Sequence, residues 1–354
     1  MHARVDRVRK LLTEQALDGL LMHKPENRTY ITGFTGSEGF AIVTARETLL
    51  LVDFRYVEQA RIEAPAFEVI KAEREITGSL AEAVRSREVR RLGFESDGLT
   101  YQQYRDIAQK LVPTELVPVD SVDRLRWVKD ADELARIRQA VAIGDAAFAH
   151  IQRFVRPGAV ERDVAVELEF FMRRQDADKE AFETVVASGT RSALPHGRAS
   201  GRTMQRGDLV TLDFGAVYRG YASDCTRTVV LGEPDARQRA IYMLVLTALQ
   251  TALGGIRPGM RGKEADALAR SVIADAGYAE AFGHSLGHGV GLAVHEGPRL
   301  SAREDAILEP GMVVTVEPGI YLTGWGGVRI EDLVVLTEHG CEVLTRAPRE
   351  LMSL

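Results

Sequence analysis

Two pairs of acidic residues stand at matching places in this chain, each flanked by apolar, strand-like sequence. Asp213 closes the run "LVTLD", and Asp224 returns in "ASDCTRTVVL" after the turn-like "AVYRGY". Glu317 follows "VVTV", and Glu331 returns in "VRIEDLVVL" after "YLTGWGG". A turn centred near Tyr218 and Arg219 makes Asp213 and Asp224 cross-strand partners. The midpoint of Glu317 and Glu331 is position 324, inside the glycine-rich loop, so these two are partners as well. Opposed residues of an antiparallel pair share a face at ~4.5–5.5 Å, where like charges repel unless a cation lies between them. Four buried carboxylates carry about −4, a charge that two divalent ions cancel. Ions about 3.5–4 Å apart leave room for a bridging hydroxide. The stretch "GHSLGHGVGLAVHEGP" adds three of the chain's eight histidines, His284, His288 and His295. A neutral imidazole from this stretch completes the set without changing the charge sum. An oxygen-rich shell favours hard metals, so Mn²⁺ is expected, with Zn²⁺ or Co²⁺ the alternatives.

The elements that carry these residues repeat. "RPG" at Arg156–Gly158 recurs at Arg257–Gly259, and each copy precedes an amphipathic helix, "ERDVAVELEFFMRRQ" and "GKEADALARSVIADAG". "GDLVTLDFG" from Gly207 recurs as "GMVVTVEPG" from Gly311, with identity at four of nine positions and close substitution at three more. Two matches at nearly equal offset imply an internal duplication, folded as two related lobes with a site on the seam. Upstream lies a long helix through "LARIRQAVAIGDAAFAHIQRF", with Asp130 and Glu133 as its capping pair. The first ~120 residues read as a separate small α/β domain. "LDGLLM" is a strand, and "FAIVT" and "TLLLVDF" form a hairpin about Ala45-Arg46-Glu47. Helices are expected in "RYVEQARIEA", "SLAEAVRSREV" and "TYQQYRDIAQKL", and strands in "EVIKA", "RLGFES" and "ELVPV". The glycines of "TGFTGSEGF" match no phosphate-loop spacing and read as turn glycines. The expected domains are 1–122 and 123–354.

Bulk properties narrow the function classes. A net charge of −6 gives no nucleic-acid footprint. Two cysteines make neither a disulfide framework nor a thiolate metal site. No apolar run reaches the ~20 residues of a membrane span. The opening "MHARVDRVRKLLTEQ" is polar and helical and lacks a signal peptide's apolar core. A reducing, cytoplasmic location is the default expectation.

At "LDFGAVYRGYASDCTRT", "HSLGHGVGLAVHEGP", "VVTVEPGIY" and "GGVRIEDLVVL" the chain resembles the pita-bread metallopeptidases, specifically the Xaa-Pro peptidases, prolidase and aminopeptidase P. The likeness covers essentially the whole chain. "GFTGSEG" and "LVDFRYVEQA" are similar to short bacterial members, and the N-terminal part resembles the creatinase/prolidase N-terminal domain. The resemblance implies an α/β N-terminal domain followed by a pita-bread catalytic domain with a pseudo-twofold repeat. It implies Asp213, Asp224, His288, Glu317 and Glu331 as ligands of a two-metal centre, with Asp224 and Glu331 spanning both ions. His196, in "LPHG", and His295 match the family's substrate-facing histidines, and Arg329 matches an arginine near the metals. The intact ligand set separates the chain from creatinase, and the N-terminal domain separates it from methionine aminopeptidase.

The activity so implied is hydrolysis of an Xaa-Pro bond at the N-terminus of a dipeptide or short peptide by a homodimeric enzyme. Glu317 is the expected general base, His295 an oxyanion donor, and His196 a contact near the proline. A dipeptidase needs a cation for the substrate's free carboxylate, for which Arg46, Arg55 and Arg329 are candidates. The dipeptidase reading is preferred to aminopeptidase P on longer peptides. A non-catalytic pita-bread module binding other proteins is a third reading. Two residues near the centre receive simpler readings: His284 orders the glycine-rich loop, and Cys225 points away from the metals by strand alternation.

Overall fold

The computed structural model describes residues 2–73, 75–120 and 122–354. It comprises two compact units, Met1–Arg126 and Trp127–Leu354.

The first unit runs α1 (His2–Glu14), β1 (Gly19–Met22), α2 (Pro25–Thr32), β2 (Phe40–Thr44), β3 (Thr48–Val52), α3 (Val57–Glu63), β4 (Glu68–Lys71), α4 (Ile76–Arg85), β5 (Arg91–Glu95), α5 (Tyr101–Leu111) and β6 (Glu115–Val119). Its sheet has the order β4-β3-β2-β1-β5-β6. Strand β2 is antiparallel to both neighbours and the other pairings are parallel. The hairpin about Ala45-Arg46-Glu47 therefore forms as the sequence predicts, with Val43 opposite Thr48. Strands β1 and β2 are buried along their whole length, which is why they read as unbroken apolar runs.

Helix α2 has no counterpart in the sequence reading. Its eight residues, "PENRTYIT", include several weak helix formers, and local context compensates. Pro25 starts it, and Gly33 ends it at φ 82°. The buried Arg28 donates to the carbonyls of Gly36 and Gly39, so the glycine turns of "TGFTGSEGF" fold around a guanidinium.

The second unit begins with α6 (Ala131–Ile151), α7 (Glu161–Arg174), β7 (Lys179–Glu180), β8 (Val185–Ser188), β9 (Leu209–Phe214), β10 (Ala216–Tyr218), β11 (Tyr221–Ala222) and β12 (Cys225–Val230). It continues with α8 (Ala236–Gly255), α9 (Gly262–Asp275), β13 (Gly287–Gly289), β14 (Glu296–Leu300), β15 (Val313–Val316), β16 (Gly319–Leu322), β17 (Gly326–Arg329), β18 (Asp332–Leu336), β19 (Cys341–Val343) and β20 (Met352–Ser353). Asp130 and Glu133 close a capping box on α6. One sheet, β20-β12-β9-β8, packs against α6 and α7 through Phe148, Leu168 and Phe214. The other, β14-β13-β15-β18-β19, packs against α8 and α9 through Leu249, Ile273 and Val334.

The duplication is visible in the backbone. Gly158 and Gly259 both adopt left-handed φ, 89° and 86°, as do Gly207 and Gly311, again 89° and 86°. The amides of Gly158, Glu161 and Arg162 donate to Met204, Arg202 and Ser200, while those of Gly259, Gly262 and Lys263 donate to Leu308, Ala306 and Glu304. Each donor in the second copy lies 101 positions after its mate, and each acceptor 104 positions after its own.

Candidate metal centre

The first hairpin corrects one expectation. Asp213 pairs with Thr226, not with Asp224, and Phe214 pairs with Cys225. The reason is the turn. Tyr218 pairs with Tyr221, so Arg219 and Gly220 are its central residues, at φ 46° and 83°. Two positive φ values make a type I′ turn, whose twist matches the flanking strands. Centring the turn one residue later moves Asp224 from directly opposite Asp213 to the diagonal. It stays on the same face, because residues two apart on a strand share one.

The second hairpin forms in the expected register. Val316 lies opposite Asp332 and Gly319 opposite Arg329, which sets Glu317 against Glu331.

The two hairpins are joined edge to edge. The Glu331 amide donates to the Thr226 carbonyl at 3.1 Å, and Thr226 Oγ1 donates to Glu331 Oε2 at 2.7 Å. Thr228 Oγ1 accepts from the Arg329 amide at 3.1 Å and donates to its carbonyl at 2.9 Å.

Strand β13 brings His288 to the same face. Its Nε2 lies 3.6 Å from Asp224 Oδ2 and 3.4 Å from Glu317 Oε1. Its Nδ1 sits 3.1 Å from the Gly289 carbonyl, which fixes the proton on Nδ1 and leaves the Nε2 lone pair directed at the carboxylates. Asp224, His288 and Glu331 offer donor atoms that all lie within 4.8 Å of one another. Thr315 braces this edge, donating to Glu317 Oε1 at 3.1 Å and accepting from the His288 amide at 3.0 Å.

The electrostatics are those of a cation site. Burial, followed by repulsion from Glu331, Asp213 and Glu317, holds Asp224 well above the usual carboxylate range. Burial, followed by Glu317 and Asp213, does the same to Glu331. Burial pushes Glu317 up to about 7. Burial and then His295 lower His288 to about 4, so its imidazole is neutral at pH 7. Asp213 Oδ1 and Glu331 Oε1 are buried without a hydrogen-bond partner. Unpartnered buried carboxylate oxygens beside a neutral imidazole fit a divalent cation.

Arg329 is 3% exposed and reaches four groups. Its Nη2 donates to Asp213 Oδ2 at 2.6 Å, Nη1 to Tyr321 Oη at 2.8 Å and to the Pro195 carbonyl at 3.0 Å, and Nε to Thr226 Oγ1 at 3.0 Å. The His295 ring centroid lies 4.3 Å from that of His288. His196 is exposed, one residue after Pro195. His284 bonds the Ser285 carbonyl at 2.8 Å, and its Nε2 lies 3.0 Å from Tyr321 Oη. It orders the loop as read, and it also joins the Arg329 network. Cys225 is buried in the core with Phe214 and Met204, facing away from the carboxylates. Arg46 and Arg55 belong to the first unit, where Asp53 grips Arg55 at 2.6 Å. Sequence reasoning missed Tyr321, Thr226 and Thr315. For the threonines strand alternation was the available signal, since each lies two residues from a carboxylate of the set.

Residues 135–338 match Metallopeptidase family M24, and residues 4–128 match the Creatinase/Prolidase N-terminal domain. The chain belongs to metallopeptidase family M24. It is 45% identical to an Xaa-Pro dipeptidase from Bacillus anthracis, with a TM-score of 0.97 over 100% of this chain and 99% of that one. It is 40% identical to the Xaa-Pro dipeptidase of Pyrococcus furiosus over 99% of this chain and 100% of the relative. An X-Pro aminopeptidase from Thermotoga maritima MSB8 matches at 39% identity and a TM-score of 0.91, over 99% of this chain and 100% of that one.

Proposed function

We propose that this chain hydrolyses the Xaa-Pro bond of dipeptides, as a prolidase. The observation that carries the reading is the convergence of Asp224, His288 and Glu331 with Glu317 beside them and Asp213 held by Arg329. Asp213, Asp224, His288, Glu317 and Glu331 would hold two divalent ions, with Mn²⁺ favoured for an oxygen-rich shell. When bound, such ions supply Lewis acidity and bring the pKa of water near neutrality.

The chain's own residues do the rest. Glu317 accepts the proton of the attacking water and returns it to the proline nitrogen. That nitrogen carries no hydrogen within the peptide and must be protonated to leave. His295, whose pKa burial lowers, donates an N–H to the developing oxyanion. His196 contacts the substrate on the proline side. Arg329 orients Asp213. A homodimer belongs to the same reading by family resemblance, and a reducing, cytoplasmic location is read from the cysteine usage. Among the described residues, no helix is long and apolar enough to cross a membrane.

The likeness to an X-Pro aminopeptidase supports a second reading, in which longer peptides are the substrates. Measuring kcat/KM on an Xaa-Pro dipeptide and on the same peptide extended by one residue separates the two. A preference for the extended peptide would reject the dipeptidase reading.

A further inference from the structure

His196 sits in a segment with no regular strand or α-helix, between β8 and the bridge residue Thr203. Both ends of that segment converge on one buried carboxylate. Glu161, fully buried at the start of α7, accepts from the Ser188 amide at 2.8 Å and Ser188 Oγ at 2.7 Å through Oε1. Through Oε2 it accepts from the Ser200 amide at 3.1 Å, Ser200 Oγ at 2.6 Å and Arg191 Nε at 3.2 Å. Arg191 also donates to the Arg198 carbonyl, two residues past His196.

The duplicated half shows that the helix start does not require this residue. Gly262 stands in the place of Glu161, and a Cβ there would lie 2.2 Å from the Arg299 carbonyl. That half anchors its own histidine segment differently. Glu296, next to His295, pairs with Lys129 at 2.7 Å, with both side chains 1% exposed. Each histidine-bearing segment thus has a buried carboxylate anchor, supplied from a different place.

We propose that Glu161 is a positioning residue for His196, pinning both ends of its segment so that the imidazole meets the substrate. This rests on the reading of His196 as a substrate-facing group. The test uses the full-length, Mn²⁺-loaded chain and an Xaa-Pro dipeptide, with Glu161→Gln, His196→Ala and the double variant. Metal content and Tm are measured beside kcat and KM. The expected result is full metal content with kcat/KM of Glu161→Gln lowered roughly 10²-fold, as a misplaced group costs. In the His196→Ala background the same change should alter kcat/KM by less than about twofold, the usual margin of additivity. Equal losses in both backgrounds, or no loss from Glu161→Gln, would overturn the proposal. Wild-type activity in His196→Ala alone would reject the reading of His196, and the proposal with it. If Glu161→Gln does not fold, Ser200→Ala removes one bond to the carboxylate and keeps its charge. The same comparison of backgrounds then decides.

Discussion

Arg329 donates to Asp213 Oδ2 at 2.6 Å, while Asp213 Oδ1 is left without a partner. One oxygen is held by the guanidinium and the other is left free to meet a cation. Arg329→Ala should weaken metal binding about 10–100-fold, as loss of a group orienting a ligand does. Arg329→Lys should not rescue it, because a single ammonium cannot reproduce the guanidinium fork. Calorimetric metal titration checks both, and unchanged affinity in Arg329→Ala would reject the orienting role.

The two neighbouring histidines should separate cleanly. His288→Ala is expected to lose metal. His295→Ala should keep metal and lose about 10²–10³ in kcat, the usual value of an oxyanion donor. Metal analysis of the purified variants would expose reversed roles.

Stability of the metal-free chain should depend on pH in a direction the carboxylates set. Burial lowers His284, His288 and His295 below an ordinary imidazole, so above pH 7 these site histidines add no slope. The unfolded chain has released its carboxylate protons, while burial holds Asp224 and Glu331 well above the usual carboxylate range in the fold. The folded state then binds more protons, so stability falls as pH rises above the ordinary carboxylate range until these groups ionise in the fold, by about 1.4 kcal/mol per pH unit for each proton held. Bound metal keeps these groups ionised and removes the slope. Thermal melts should therefore show a gap between loaded and metal-free protein that widens with pH. Parallel curves would count against it.

Substrate length should report on a carboxylate clamp. Arg46→Ala and Arg55→Ala, made separately, are compared on a dipeptide and a tripeptide. The responsible change should lower dipeptide kcat/KM roughly 10²-fold with little effect on the tripeptide, the cost of an unpaired charge. An unchanged ratio in both variants moves the search to Arg329.

Much of this was legible because burial and periodicity constrain the same residues. The carboxylates stand out because they interrupt apolar strands, and the α6 cap because Asp130 and Glu133 have capping-box spacing. The first hairpin's register was not legible, since a non-glycine residue, Arg219, takes positive φ in its turn. Helix α2 was hidden because Arg28, tied to carbonyls of the loop that follows the helix, offsets its weak propensity. Glu161 looks in sequence like any acidic residue in a helix's first turn. Its five donors come from residues 27 to 39 positions away.

The bond from the Glu331 amide to the Thr226 carbonyl couples the repeats at the point where their carboxylates meet. Neither half alone contains the full proposed ligand set, so metal uptake during refolding should time the docking of one repeat on the other. A chain cut between Val230 and Ala236 and mixed as fragments would regain tight binding only on reassembly, making the ion a sensor of completed tertiary structure.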